Sequence, residues 1–98
     1  MADVWTHGTF TVKAGREDEF VAAWRRLARF AVDDFDLPEP PRFLRDLDRP
    51  NVFVAVGPWR DVETLVRFRE AIAPHAAGVD ELVESGETLL LQEVGLDG

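Results

Sequence analysis

The sequence predicts an α+β fold of the ferredoxin-like kind, a four-stranded antiparallel sheet with two helices in the order β-α-β-β-α-β. Three observations predict it. Two stretches repeat apolar residues with helical period, and runs rich in β-branched and aromatic residues stand before, between and after them. The run between the helices is divided by Arg49-Pro50-Asn51, so it reads as a hairpin of two strands. Finally, the strand runs are apolar on more faces than two helices can cover.

The first strand is read over residues 4–13, with Val4, Thr6, Phe10 and Val12 on one face and Trp5, His7, Thr9 and Thr11 on the other. Ala14-Gly15 breaks it. Phe20, Ala23, Trp24, Leu27, Ala28 and Ala31 then form one helical stripe. Glu17, Asp18 and Glu19 in the first turn and Arg25, Arg26 and Arg29 further on suit the helix dipole, whereas Asp33, Asp34 and Asp36 would oppose it. The helix is therefore predicted to end near Ala31.

Leu37-Pro-Glu-Pro-Pro41 marks a connection. A half-exposed strand over 42–47 and a strand over 52–56 make the hairpin, with Asn51 suited to the left-handed region of the turn. Asp61 is a candidate N-cap for a second helix whose buried stripe is Val62, Leu65, Phe68 and Ile72, with Pro74 ending it. Residues 79–83 suggest a short extra helix closed by Gly86, and 87–94 a last strand.

Val52, Val54 and Val56 alternate with Phe53 and Ala55, and Leu89-Leu90-Leu91 places leucine on both sides of its strand. An antiparallel sheet with one wet face should alternate apolar with polar. A second copy of the chain is the simplest cover, so the pattern predicts a homodimer through the open sheet face.

Composition bounds the function. Ninety-eight residues predict a single domain spanning 1–98. The formal net charge is −8 and Lys13 is the only lysine, a field that repels a phosphate backbone, so no nucleic-acid partner is expected. Without an apolar run near 18 residues or a basic-then-apolar start, the expectation is a cytoplasmic protein with no membrane partner. There is no cysteine, which excludes disulfides, thiolate metal sites and cysteine nucleophiles.

The stretch Arg42-Phe-Leu-Arg-Asp-Leu-Asp-Arg-Pro-Asn-Val-Phe-Val-Ala-Val-Gly-Pro-Trp59, followed by Arg-Asp-Val-Glu-Thr-Leu65, resembles the antibiotic biosynthesis monooxygenase (ABM) domain family. So does Phe10-Thr-Val-Lys-Ala-Gly-Arg-Glu-Asp-Glu-Phe20. The resemblance implies a dimeric α/β barrel with two sheets face to face. It also implies cofactor-independent oxidation of a planar phenolic or quinol substrate, held and deprotonated so that its carbanion reduces dioxygen directly. Trp59 matches the family's tryptophan. Where those enzymes have Asn, four residues earlier, the chain has Ala55; where they have Tyr, six residues later, it has Leu65; and it contains no tyrosine.

His7 is the candidate general base, since imidazole is suited to proton transfer near neutral pH, and Trp59 the candidate platform, in a pocket between sheet and helices. Trp24, Phe53 and Phe68 are candidate walls of the same slot for a hydrophobic or aromatic small molecule. His75, just past Pro74, reads as a cation at a helix C-terminus. Asp46 and Asp48 lack the spacing of a calcium loop and read as turn residues, so no metal site is expected. Three functions stay open: a cofactor-free monooxygenase-like enzyme, a non-catalytic dimeric binding module, and a cofactor-free cyclase or isomerase.

Overall fold

The computed structural model describes residues 3–96; residues 1, 2, 97 and 98 of the expected domain lie outside the described residues. Along the chain run β1 (Val4–Val12), α1 (Glu17–Asp34), β2 (Arg42–Arg45), β3 (Val52–Trp59), α2 (Val62–Asp80) and β4 (Val83–Gln92). They form one antiparallel sheet in the order β2-β3-β1-β4, the ferredoxin-like arrangement predicted.

The parity of the strands decides what each face carries. Val4 pairs with Trp59, Thr6 with Gly57, Gly8 with Ala55 and Phe10 with Phe53, and these residues face the helices. The intervening residues, Trp5, His7 and Thr9 of β1 with Pro58, Val56 and Val54 of β3, face away. From β4, Leu89 and Leu91 join the open face and Leu90 the helix face. All three leucines are exposed, because the helices cover β3 and β1 and leave β4 bare.

Tight turns join these parts. Lys13 O accepts from the Arg16 N–H at 3.0 Å, and Gly15 takes the positive φ of 84° that this turn needs. Asp46 Oδ1 accepts from the backbone N–H groups of Asp48 (2.8 Å) and Arg49 (3.2 Å), an Asx turn that stops β2 at Arg45, two residues before the predicted end. Asn51 does not take the left-handed conformation expected of it, since Asp36 is the one non-glycine residue with positive φ among the described residues. Its side-chain amide instead donates to Val12 O at 3.3 Å, and its carbonyl accepts from the Val12 N–H at 2.8 Å, clipping the hairpin to β1.

Both helices outrun their predicted ends. α1 continues past Ala31 to Asp34, because Phe35 closes it with an N–H bond to Ala31 O and packs edge-on against Phe30 and Phe68 at 5.6 and 5.3 Å. Burying that ring outweighs acids at a helix C-terminus, each a matter of about 0.3–1 kcal/mol. α2 runs through Pro74 to Asp80, so residues 79–83 are not a separate helix but its last residues, a turn and the start of β4. Proline costs the helix one hydrogen bond, yet continuing it places Val79 and Leu82 in the core at 8% and 5% exposure. Gly86 consequently lies inside β4, and β3 extends past Val56 to Trp59. Pro58 is tolerated there because β2 pairs no further than Val56.

The core has two aromatic centres. Phe20, Phe53, Phe43, Phe10 and Trp24 pack around Val12, Leu27 and Leu82 at one end. Trp59, Phe68, Phe30 and Phe35 pack around Ala31 and Leu65 at the other, and Ile72 touches both. Phe10 lies flat over two glycines: a Cβ on Gly8 would fall 2.8 Å from its ring, and one on Gly86 3.1 Å away.

Candidate functional site

Trp59 ends β3 on the helix face, 5% exposed, with its ring 4.9 Å from that of Phe68. Its indole N–H donates to Thr6 Oγ1 at 3.1 Å, and the Thr6 hydroxyl donates in turn to Gly57 O at 3.4 Å. The tryptophan plane is thus fixed at both ends, by α2 packing and by a hydrogen-bonded threonine on the neighbouring strand. Leu90, across β1 from Gly57, is 52% exposed on this same face, so bare sheet adjoins the fixed indole.

α2 starts beside this corner. Asp61 is the N-cap predicted, its Oδ1 accepting the Thr64 N–H at 2.7 Å, and that bond holds its carboxyl below the usual aspartate range. Arg60 reaches back to Asp36, donating to its carboxylate at 2.9 Å and its carbonyl at 3.2 Å, which ties the start of α2 to the end of α1.

The expected site residues do not converge. Trp59 and Phe68 stand together, but Trp24 and Phe53 belong to the other aromatic centre. There Phe43 stacks on Phe53 at 5.3 Å with 13° between the planes, Trp24 lies 5.6 Å from Phe43, and the Arg45 guanidinium sits 4.8 Å above the Phe53 ring. One slot lined by all four is therefore corrected to two separate packings.

His7 is likewise corrected in position. It neighbours Thr6 on β1, so it points to the opposite face of the sheet from Trp59, between Val56 and Leu89 and with Trp5 and Thr9 along its own strand. The layer between sheet and helices thus contains Trp59, packed at 5% exposure, but not His7. His75 is an exposed residue inside α2 rather than a cation at its end, because the helix runs on past Pro74.

Ala55 and Leu65 both lie on the helix side, 7% and 2% exposed, with Leu65 packed in the Trp59 cluster. The amide and phenol positions implied by the resemblance are thus apolar and buried. Thr6 is the residue that sequence reading passed over. Its signal was legible: a hydroxyl on a strand face otherwise carrying Val4, Phe10 and Val12 needs a partner when buried.

The fold and this corner define a class, the small ferredoxin-like α+β proteins that carry a fixed tryptophan between sheet and helix. No family model matches the chain, and no curated protein does. Solved structures do. The chain is similar to SnoaB, a cofactor-independent oxygenase from Streptomyces nogalater, at 25% identity over 99% of this chain and 98% of that one. The TM-score is 0.81 against that structure and 0.87 against an asparagine-to-alanine mutant of the same enzyme. An antibiotic biosynthesis monooxygenase matches at 17% identity and TM-score 0.80, over 94% of this chain and 99% of that one. A conserved protein of Methanosarcina mazei matches at 14% and 0.85, over 95% and 94%. The chain has the antibiotic biosynthesis monooxygenase fold.

Proposed function

We propose that the chain is a cofactor-free monooxygenase-like protein that takes a small electron-rich aromatic, a phenol or quinol, on the helix side of its sheet. The observation that carries this reading is the indole of Trp59, locked by Thr6 and Phe68 beside the bare Leu90. With Trp59 itself 5% exposed, a flat ligand would lie over the open apolar surface at Leu90 with the fixed indole as its wall. The whole-length similarity to a cofactor-independent oxygenase supports the chemistry. A bound phenol that loses its proton is electron-rich enough to reduce dioxygen itself, so the protein's task is to orient it and keep water away.

The catalytic roles follow from position. Trp59 is the platform on the helix side. His7 remains a candidate base only for a ligand on the open face, since the sheet separates the two side chains. The experiment is oxygen uptake and product mass with a panel of small naphthols and quinols, for the native chain and for Trp59→Phe and His7→Gln. Uptake that falls at least about tenfold in Trp59→Phe and not in His7→Gln supports the helix-side site. Uptake that is unchanged in both overturns the assignment.

A second reading, a binding module without chemistry, is favoured by buried Ala55 and Leu65, which put no titratable group beside Trp59. It predicts saturable binding with no oxygen consumed by any member of the panel.

Under either reading we propose a homodimer through the open face. Val54, Val56, Leu44, Leu89 and Leu91 supply an apolar surface there, with Trp5 beside them. Sedimentation of the native chain tests it: a mass near twice 11.0 kDa that returns to one chain in Val56→Asp is expected. A native monomer at high micromolar concentration overturns it.

A further inference from the structure

We propose that the groove between α1 and α2, on the far side of the helices from the sheet, is a ligand site of its own for a flat apolar carboxylate. Its volume is about 680 Å³, within the range of small-molecule sites. Ala23, Leu27, Val79 and Leu82 give it an apolar floor continuous with the core, and Phe30 gives it an aromatic wall.

Gly78 of α2 lines the groove, and a Cβ there would meet nothing within 4 Å, so the wall is open at this place and only a side chain larger than alanine's would fill it.

Charge selects the ligand. Towards the start of α1, Arg16 is held by Glu19 through two bonds of 2.8 Å, and Glu81 lies close enough to act on the same guanidinium. Towards Phe30, the groove is lined by Arg26 and His75, and Arg26 takes part in none of the ion pairs among the described residues. In a chain of net charge −8, this end offers a free guanidinium beside an aromatic ring. A carboxylate on Arg26 with its ring system against Leu27 and Phe30 satisfies both.

The groove shares only Phe30 with the packing of the Trp59 corner and is read by binding alone, so its failure and the failure of the oxygenase reading are distinguishable. The test is titration of the isotope-labelled full chain with 2-naphthoate and with the neutral 2-naphthylmethanol, followed by amide chemical shifts. Saturable shifts centred on residues 22–30 and 75–79 are expected, with the acid binding at least about tenfold more tightly than the alcohol. Arg26→Gln should bring the acid down to the alcohol's affinity, and Gly78→Leu, which fills the groove and suits a helix better, should abolish both. Thermal melting confirms that these variants fold. Shifts centred on Thr6 and Trp59 or on the open face, equal affinity for acid and alcohol, undiminished binding to Gly78→Leu, or no shift at millimolar ligand would each overturn the proposal.

Discussion

The two faces of the sheet are built from the same strands and differ in how tightly side chains are specified. On the helix face the large side chains of β1, β2 and β3 have fitted neighbours, with Leu90 of β4 the bare exception: Phe10 lies on two glycines, Phe43 stacks on Phe53, and Trp59 is pinned to Thr6. On the open face Val54, Val56, Leu89 and Leu91 stand side by side without a covering layer in the single chain. The first face derives its stability from shape and the second only from area. Close-packed interiors feel the loss of single methylene groups, whereas surface positions tolerate exchange.

Substitutions can break or sharpen this contrast. The largest effect is expected for Phe20→Ala, a ring 0% exposed that touches Phe10, Phe43 and Phe53, at about 3–5 kcal/mol of stability in denaturant unfolding. A cost under about 1 kcal/mol would mean that this centre collapses freely and is not specified by shape. Gly8→Ala should follow at about 1–3 kcal/mol, because the new methyl meets a Phe10 ring already wedged against Phe20 and Trp24. Thr6→Val keeps the shape but leaves the buried Trp59 N–H without its acceptor, for about 1–3 kcal/mol, read in the same unfolding experiment and as a shifted tryptophan fluorescence.

On the other face, Val54→Thr should move the single chain's stability by no more than about 0.5 kcal/mol. A loss as large as that of Thr6→Val, growing with protein concentration, would show that a second copy packs this face as tightly as the helices pack theirs.

The smallest effect is expected at Asp61. Its folded pKa is lowered by the Thr64 N–H bond, so the cap's stabilisation is present above the unfolded carboxyl's pKa and is lost as pH falls through the folded one. Protection of the amides of residues 62–65, taken relative to the intrinsic exchange rate at each pH, should therefore fall on acidification below about pH 4, and Asp61→Asn, which caps without titrating, should flatten that dependence.

The sequence carried the architecture because periodicity and turn chemistry are local. The stripe of the first helix, the Ala14-Gly15 break, the position of the Arg49-Pro50-Asn51 turn and the Asp61 cap each depend on residues close in sequence and appear where expected. Val62, by contrast, expected in the buried stripe of the second helix, stands 55% exposed in its first turn while Thr64 and Leu65 turn inward. The helix ends were harder. Asp33, Asp34 and Pro74 all signal termination locally, and the contacts that override them, Phe35 on Phe68 and Val79 in the core, come from distant parts of the chain. The candidate site was legible only in part for a similar reason. Strand parity separates His7 from Trp59, and the list of faces read from β1 already contained that separation. Which of those faces met the helices needed the register of β1 with β3. The division of Trp24 and Phe53 from Trp59 and Phe68 depends on how far along each helix the aromatic rings fall, which periodicity alone does not give.

The pairing of the first strand with the last has a consequence in time. Val4 pairs with Gln92 and Thr6 with Leu90, contacts that span nearly the whole chain. During synthesis, β1, the hairpin and both helices can emerge with one flank of the central strand still unpaired. The sheet cannot be completed until residues 83–92 leave the ribosome, and contacts of such sequence separation are slow to close. Until then β1 exposes a strand edge carrying Trp5 and Phe10, so this chain depends on its last residues to protect its first.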